Sequence, residues 1–383
     1  MAAIISLLKI YLNIIYFFLK FLKVDNKKIL MMSRQYNKKT LDYSMIKENI
    51  NRRYPDYKVI ILAQKLNKKN IVKYFFHIHV QMYHLATSRV CLVDTYIIPV
   101  SLLKHRKDLT IIQLCHGVGN IKKFGYQTLK NKSGNNEKLS RMMKMHKNYD
   151  YLVSTSEETS KFYSEAFDMP IEKMLNFGPP KIDYLLNIKS KRKEVLKKYK
   201  GINKKPIILY VSTFRTYKDD YLKKFINNFP FDKYNLIINI HPVAYKHNPD
   251  IDSFVTDSRI YRCKDTPTTD LLSICNIAVT DYSSFVFDSA IADIPTYLFV
   301  PDYNKYVKYN GLNIDIFKEL DGYVFKNSKD LFQTILKKKY NKKTLREFKN
   351  KYIENCDGTS TDKLVDFMIS KTKKEESILW KNY

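Results

Sequence analysis

The stretch 278-AVTDYSSFVFDSAIADIPTYLF-299 decides the fold. An apolar run ends at Asp281 and a pair of serines, an apolar-periodic segment follows, and Pro295 leads into a second apolar run. Strand, helix and strand in one short span make a βα unit of a parallel sheet. Ser283 and Ser284 stand where the helix begins. Their chemistry has two readings there: a helix cap, or an anion site built from hydroxyls and the free N–H groups of the first turn.

The same alternation runs through the chain in both directions. Upstream, KILMMS, YKVIILA, RVCLVDTY, TIIQLCHG, YLVSTS and MLNFG read as strands; after the Lys-rich segment SKRKEVLKKYKGINKK a second series runs PIILYVSTF, NLIINIHP, RIYRC, IAVTDYSS and PTYLFV. A chain of 383 residues exceeds what one core usually organises. The expected organisation is an α/β fold of two Rossmann-like domains, residues 28–190 and 200–340, preceded by a helix in residues 1–27 and followed by helices in residues 341–383.

With 67 Lys and Arg against 38 acidic residues the formal charge is +29, which calls for a polyanionic partner or surface. The basic residues are spread without a helix-turn-helix, zinc or RRM signature, so no nucleic-acid partner is expected. Cys91, Cys115, Cys263, Cys275 and Cys356 are scattered and lack CxxC spacing, which gives little support to a zinc site or a disulfide framework and fits a reducing compartment. No carboxylate cluster compels a metal, and His77 and His79 have neither common helical spacing for one.

In the N-terminal segment Ser6, Lys9, Asn13, Tyr16, Lys20 and Lys23 recur at helical spacing on one stripe, and the rest is Ile, Leu and Phe. A signal peptide would carry its charge before the apolar core and end in small residues. The pattern predicts a basic amphipathic helix lying in a membrane interface, its lysines meeting anionic headgroups on the cytoplasmic leaflet.

Ligands of open α/β sheets collect at the carboxyl ends of strands. Four segments put unusual residues there. In IIQLCHGVGNIKKFGYQ, His116 ends an apolar run, Gly117 and Gly119 allow close backbone approach, and Lys122 follows. In YVSTFRTYKDD, Arg215 lies just past a strand and suits a bidentate grip on phosphate. In IINIHPVAYKH, His241 closes a buried strand before Pro242. Asp281, Ser283 and Ser284 form the fourth.

These segments, with SRQYNKKTLDY, EAFDMPIEKMLNFGPPKIDYL and CDGTSTDKLVDFM, occur in the order found in the CDP-glycerol glycerophosphotransferases of teichoic acid synthesis, which the chain resembles from about Met31 onward. The resemblance implies a GT-B fold with a cleft between a first, acceptor domain (28–190) and a second, nucleotide-donor domain (200–340), C-terminal helices crossing back to the first, and monotopic attachment to the inner membrane face. It implies CDP-glycerol or another CDP-alditol as donor and a polyprenyl-diphosphate-linked glycan or growing polyol-phosphate chain as acceptor; no cofactor is expected, and metal dependence is left open. His116 would be the general base and His241 would bind or neutralise the donor diphosphate as CMP leaves. Arg215, Lys122, Ser283 and Ser284 would hold donor phosphate, supported by Gly117, Asp183 and Asp281.

The sequence departs from the family pattern at Cys115, which stands for Trp; at Ser212, for Pro; and at Lys181, for Arg, with Asp183 kept. Lys181 keeps the charge and loses the fork. The short form resembles the family's primases more than its long polymerases. The competing reading is a GT-B glycosyltransferase that uses a nucleotide sugar for capsule or cell-surface glycan.

Overall fold

The computed structural model describes residues 2–373 except 68, 69, 116, 130, 132, 133, 135, 200, 203, 214, 216, 218, 241–250, 252–254, 264, 265 and 339. It holds two six-stranded parallel sheets. The first takes β1 (Asp25–Ser33), β2 (Lys58–Ala63), β3 (Ser88–Val93), β4 (Thr110–Gln113), β5 (Tyr151–Val153) and β6 (Met174–Leu175) in the order β2-β1-β3-β4-β5-β6. The second takes β7 (Ile207–Ser212), β8 (Asn235–Ile240), β9 (Ile260–Arg262), β10 (Ile277–Thr280), β11 (Thr296–Phe299) and β12 (Val324–Phe325) in the order β12-β11-β10-β7-β8-β9. The opening stretch is the β10–helix–β11 unit, and the two strands pair directly, Thr280 beside Leu298.

Both orders reverse once, and the place of reversal matters for function. The first chain path turns between β1 and β3, the second between β7 and β10. At such switch points adjacent loops leave in opposite directions and open a crevice at the strand ends.

Side-chain alternation along β1 and β3 decides what covers the first sheet. Leu30, Met32, Cys91 and Val93 point into one core with α1 (Ala2–Leu19) and α3 (Ile71–Thr87). Ile29, Met31, Val90 and Leu92 point into the other, where α2 (Leu41–Arg53) meets the C-terminal helix Ser360–Thr372. That last helix therefore returns to complete the first sheet. Asn49 Nδ2 donates to Asp362 at 2.6 Å and Arg53 Nη2 to Asp366 at 2.7 Å along the seam.

The orientation of α1 corrects the sequence expectation. The middle of the polar stripe faces the protein: Lys9 Nζ donates to the Met142 carbonyl at 2.8 Å, Tyr16 Oη bonds His105 Nδ1 at 2.9 Å, and Lys20 Nζ donates to the Lys104 carbonyl at 3.3 Å, while Ser6 and Lys23 at its ends are exposed. Loop carbonyls and an imidazole on the body supply partners that the stripe needs, so it turns inward with Leu8, Leu12, Ile15 and Leu19. Leu7, Ile10, Ile14, Phe17, Phe18 and Phe21 are left exposed.

Candidate active site

The two halves meet where the loop after β4 packs on the helix Phe285–Ile291. A methyl on Gly119 would sit 2.9 Å from the Phe287 ring, and that ring is fully buried and stacked on Phe348, so it has nowhere to go. Gly117 faces Ser284, whose Cβ and Oγ lie 3.9 Å from where a Gly117 methyl would be. From the other side, Asn313 clamps the same loop: its N–H donates to the Ile121 carbonyl at 2.7 Å and its Nδ2 to the Lys122 carbonyl at 3.1 Å. The loop that carries His116 is thus fixed against the serine-led helix, although His116 and His241 themselves lie outside the described residues.

At the β7/β10 switch point the expected residues converge. Asp281, 1% exposed, accepts from the Thr213 N–H at 2.9 Å and from Arg215 Nη1 at 3.0 Å. Lys122 reaches across from the first half, its Nζ donating to Thr213 Oγ1 at 2.9 Å. Burial holds the Lys122 ammonium below its ordinary pKa and Arg215 pushes the same way, while Asp281 resists. Burial raises the Asp281 carboxyl against the opposing pull of Arg215, Thr213 and Lys122.

Arg215 has a different place from the one expected. Its guanidinium is buried, with Nε on Asp302 Oδ2 at 2.6 Å, Nη2 on Asp302 Oδ1 at 3.0 Å and Nη1 on Asp281. Burial works against its charge, but Asp281 and Asp302 outweigh burial and strengthen its hold on the proton. Two buried carboxylates at adjacent strand ends need a cation, and a fork donating to both satisfies them. Arg215 is accordingly an anchor that sets the loops after β7, β10 and β11, not a free grip on phosphate. Asp302 and its further partners Tyr217 and Tyr282, whose Oη groups both donate to it, were absent from the sequence reading because no sequence pattern links them to Arg215.

The serines answer the cap question in part. Ser283 Oγ accepts from the Phe285 N–H at 3.3 Å, the cap-like role; Ser284, at the N-cap position, makes no side-chain capping bond. One hydroxyl is used by the helix and the other is turned toward Gly117.

Asp183 and Lys181 act elsewhere. Asp183 accepts from the Ser360 N–H at 3.1 Å and from the Thr361 N–H and Oγ1 at 2.8 and 2.6 Å, capping the returning C-terminal helix. Lys181 pairs with Asp288 at 2.5 Å, and its N–H donates to Asp42 at 2.7 Å. The exchange of the family's Arg for Lys thus falls on a packing contact between α2, the short helix Lys181–Leu186 and the serine-led helix. Among the described residues no group of His, Cys, Asp and Glu is placed to hold a metal ion.

The architecture is shared by wall teichoic acid polymerase TagF, which superposes with a TM-score of 0.74 at 18% identity over 97% of both chains. A UDP-GlcNAc 2-epimerase of Methanocaldococcus jannaschii has the same fold more distantly, with a TM-score of 0.59 at 12% identity, over 90% of this chain and 99% of its own. In sequence, the chain is 27% identical to the teichoic acid ribitol-phosphate primase of Bacillus spizizenii, over 91% of this chain and 92% of the relative. It is 28% identical to the teichoic acid glycerol-phosphate primase of Bacillus subtilis, over 94% and 95%. Residues 14–370 match the profile described as CDP-Glycerol:Poly(glycerophosphate) glycerophosphotransferase, and a match over that span makes this chain a member of that family.

Proposed function

We propose that the protein transfers glycerol phosphate, or a related polyol phosphate, from CDP-glycerol or another CDP-alditol to a lipid-linked glycan or polyol-phosphate chain in teichoic acid or similar cell-surface polymer synthesis. The observation that carries this reading is the family match over residues 14–370, joined to a β7/β10 switch point where the loop of His116 brings Lys122 onto Thr213 and Gly117 against Ser284. An acceptor hydroxyl oxygen attacks the β-phosphorus; the bond from that phosphorus to the bridging oxygen breaks; CMP leaves with the bridging oxygen; a phosphodiester remains. His116 takes the hydroxyl proton, a task suited to an imidazole near neutral pH. In this reading His241 binds or neutralises the donor diphosphate as CMP leaves.

The developing charge sits on phosphoryl oxygens, so fixed donors supply much of the rate. Lys122 and the Ser284 hydroxyl are those donors here, with Ser283 beside them. Arg215 and Asp281 position Thr213 and with it Lys122. Binding at the inner face of the membrane is part of this reading, and the outward apolar side of α1 and α3 supports the membrane contact. They pack together, with the Tyr11 and Phe75 rings stacked at 6.0 Å, and α3 adds exposed Ile71, Val72, Phe76 and Val80 to the apolar face of α1. Among the described residues no helix is long and apolar enough to cross a membrane.

The test is CMP release by purified protein given CDP-glycerol, CDP-ribitol or nucleotide sugars with a short-chain polyprenyl-diphosphate disaccharide. Acceptor-dependent CMP from a CDP-alditol, lost in His116→Ala, is expected. Turnover of a sugar donor alone would replace this reading with the glycosyltransferase one.

A further inference from the structure

The first sheet has its own switch point, between β1 and β3, and a cavity of about 650 Å³ opens there. Arg34 follows β1, Asp94 follows β3, Gln113 ends β4, and all three line the cavity together with Cys115, the neighbour of His116. Ile5 and Leu8 of α1 line it too, and with Leu66, Ile98, Phe124 and Phe167 they make most of the lining apolar, the polar groups gathering at the strand ends. Asp94 is 3% exposed and Gln113 1% exposed. Gln113 Oε1 has no hydrogen-bond partner, and the two Asp94 oxygens have only the Ser33 and Thr95 hydroxyls beside them, neither in full hydrogen-bonding geometry. Buried acceptors are ordinarily satisfied, and leaving Gln113 Oε1 without a donor beside an under-satisfied Asp94 is costly.

Resting on the transferase reading above, we propose that this cavity binds the polyhydroxylated end of the acceptor, with Asp94 and Gln113 accepting hydrogen bonds from its sugar or polyol hydroxyls. Carboxylate and amide oxygens accept only, which matches a ligand rich in hydroxyl donors. Arg34 stands at the rim with its guanidinium on the Tyr96 face at 4.9 Å, and among the described residues no carboxylate pairs with it. It offers a cation to a phosphate on the same ligand. The α1 wall joins the cavity to the exposed apolar face, so a lipid-borne acceptor reaches it from that side, while Cys115 places the reacting hydroxyl beside the loop of His116. Burial raises the Asp94 carboxyl to about 6, Asp42 adds to the rise, and the Ser33 and Thr95 hydroxyls lie near enough to temper it. A ligand hydroxyl would relieve that strain.

The test is calorimetric titration of the short-chain polyprenyl-diphosphate disaccharide into full-length wild type, Asp94→Asn, Gln113→Met and Leu139→Trp without donor, followed by two-substrate kinetics. Leu139 is an exposed rim residue, so its variant keeps the test open if a buried one does not fold. Acceptor Kd and KM should rise about tenfold or more with the KM for the CDP-alditol unchanged. Unchanged acceptor affinity, an equal loss for both substrates, or a loss confined to kcat overturns the assignment. Because binding is read without turnover, absence of CMP release from any CDP-alditol would strike the transferase reading separately.

Discussion

At the scale of single residues, two buried carboxylates show what the site costs the fold. Asp94 holds its proton to about pH 6 in the folded chain, against an unfolded value near 3.8. Between those values the folded state binds more protons than the unfolded one, so stability falls as pH rises from about 4 to about 6 and is level above. Asp94→Asn removes that slope: relative to wild type, the variant should gain about 3 kcal/mol more at pH 8 than at pH 3.5 in urea unfolding. An equal difference at both pH values would mean that the buried carboxylate is not strained. Asp288 is the opposite case, since Lys181 answers its charge. Lys181→Met strands it and should cost about 3–5 kcal/mol, most of which Asp288→Leu restores in the double variant. The strand-end position of Asp94 in RVCLVDTY was readable by the same rule that found Asp281, whereas Arg215 looked free because its partner Asp302 lies 87 residues away.

At the scale of elements, two short contacts decide whether the halves stay in register. Asp183 holds the N-terminus of Ser360–Thr372, and that helix covers one face of the first sheet. Asp183→Ala should cost about 1–2 kcal/mol, and amide exchange should quicken in the first turn of that helix before it does in β3. Gly119→Ala should act differently. The methyl meets a buried ring, so the loop must lift from the serine-led helix, and transfer should fall while much of the fold's stability remains. Wild-type turnover in that variant would show that the loop has room to shift. The strands of both sheets were legible because parallel β runs are apolar and bounded by turns; β12 was missed because two residues, Val324 and Phe325, give no period to read. The clamp by Asn313 was equally silent, since a lone Asn in a loop carries no pattern.

At the scale of the whole molecule, the two switch points and the apolar face of α1 and α3 define a path. A lipid-borne acceptor would enter between α1 and the first sheet, and the donor would lie at the second. The amphipathic pattern of α1 was plain in the sequence, but which side it turned outward depended on partners at Met142, Lys104 and His105 that periodicity does not show. The inward turn of Lys9 and Lys20 has a measurable consequence. If the exposed side chains of Ile14 and Phe18 enter the bilayer, each contributes about 1.5–3 kcal/mol, and Ile14→Glu with Phe18→Glu should weaken vesicle binding more than about a hundredfold. Wild type should also sediment with neutral phosphatidylcholine vesicles and persist there in high salt, because apolar burial is not screened. Sedimentation only with anionic vesicles, lost as salt is raised, would instead place the attachment on the basic surface and leave the outward face of α1 for another partner.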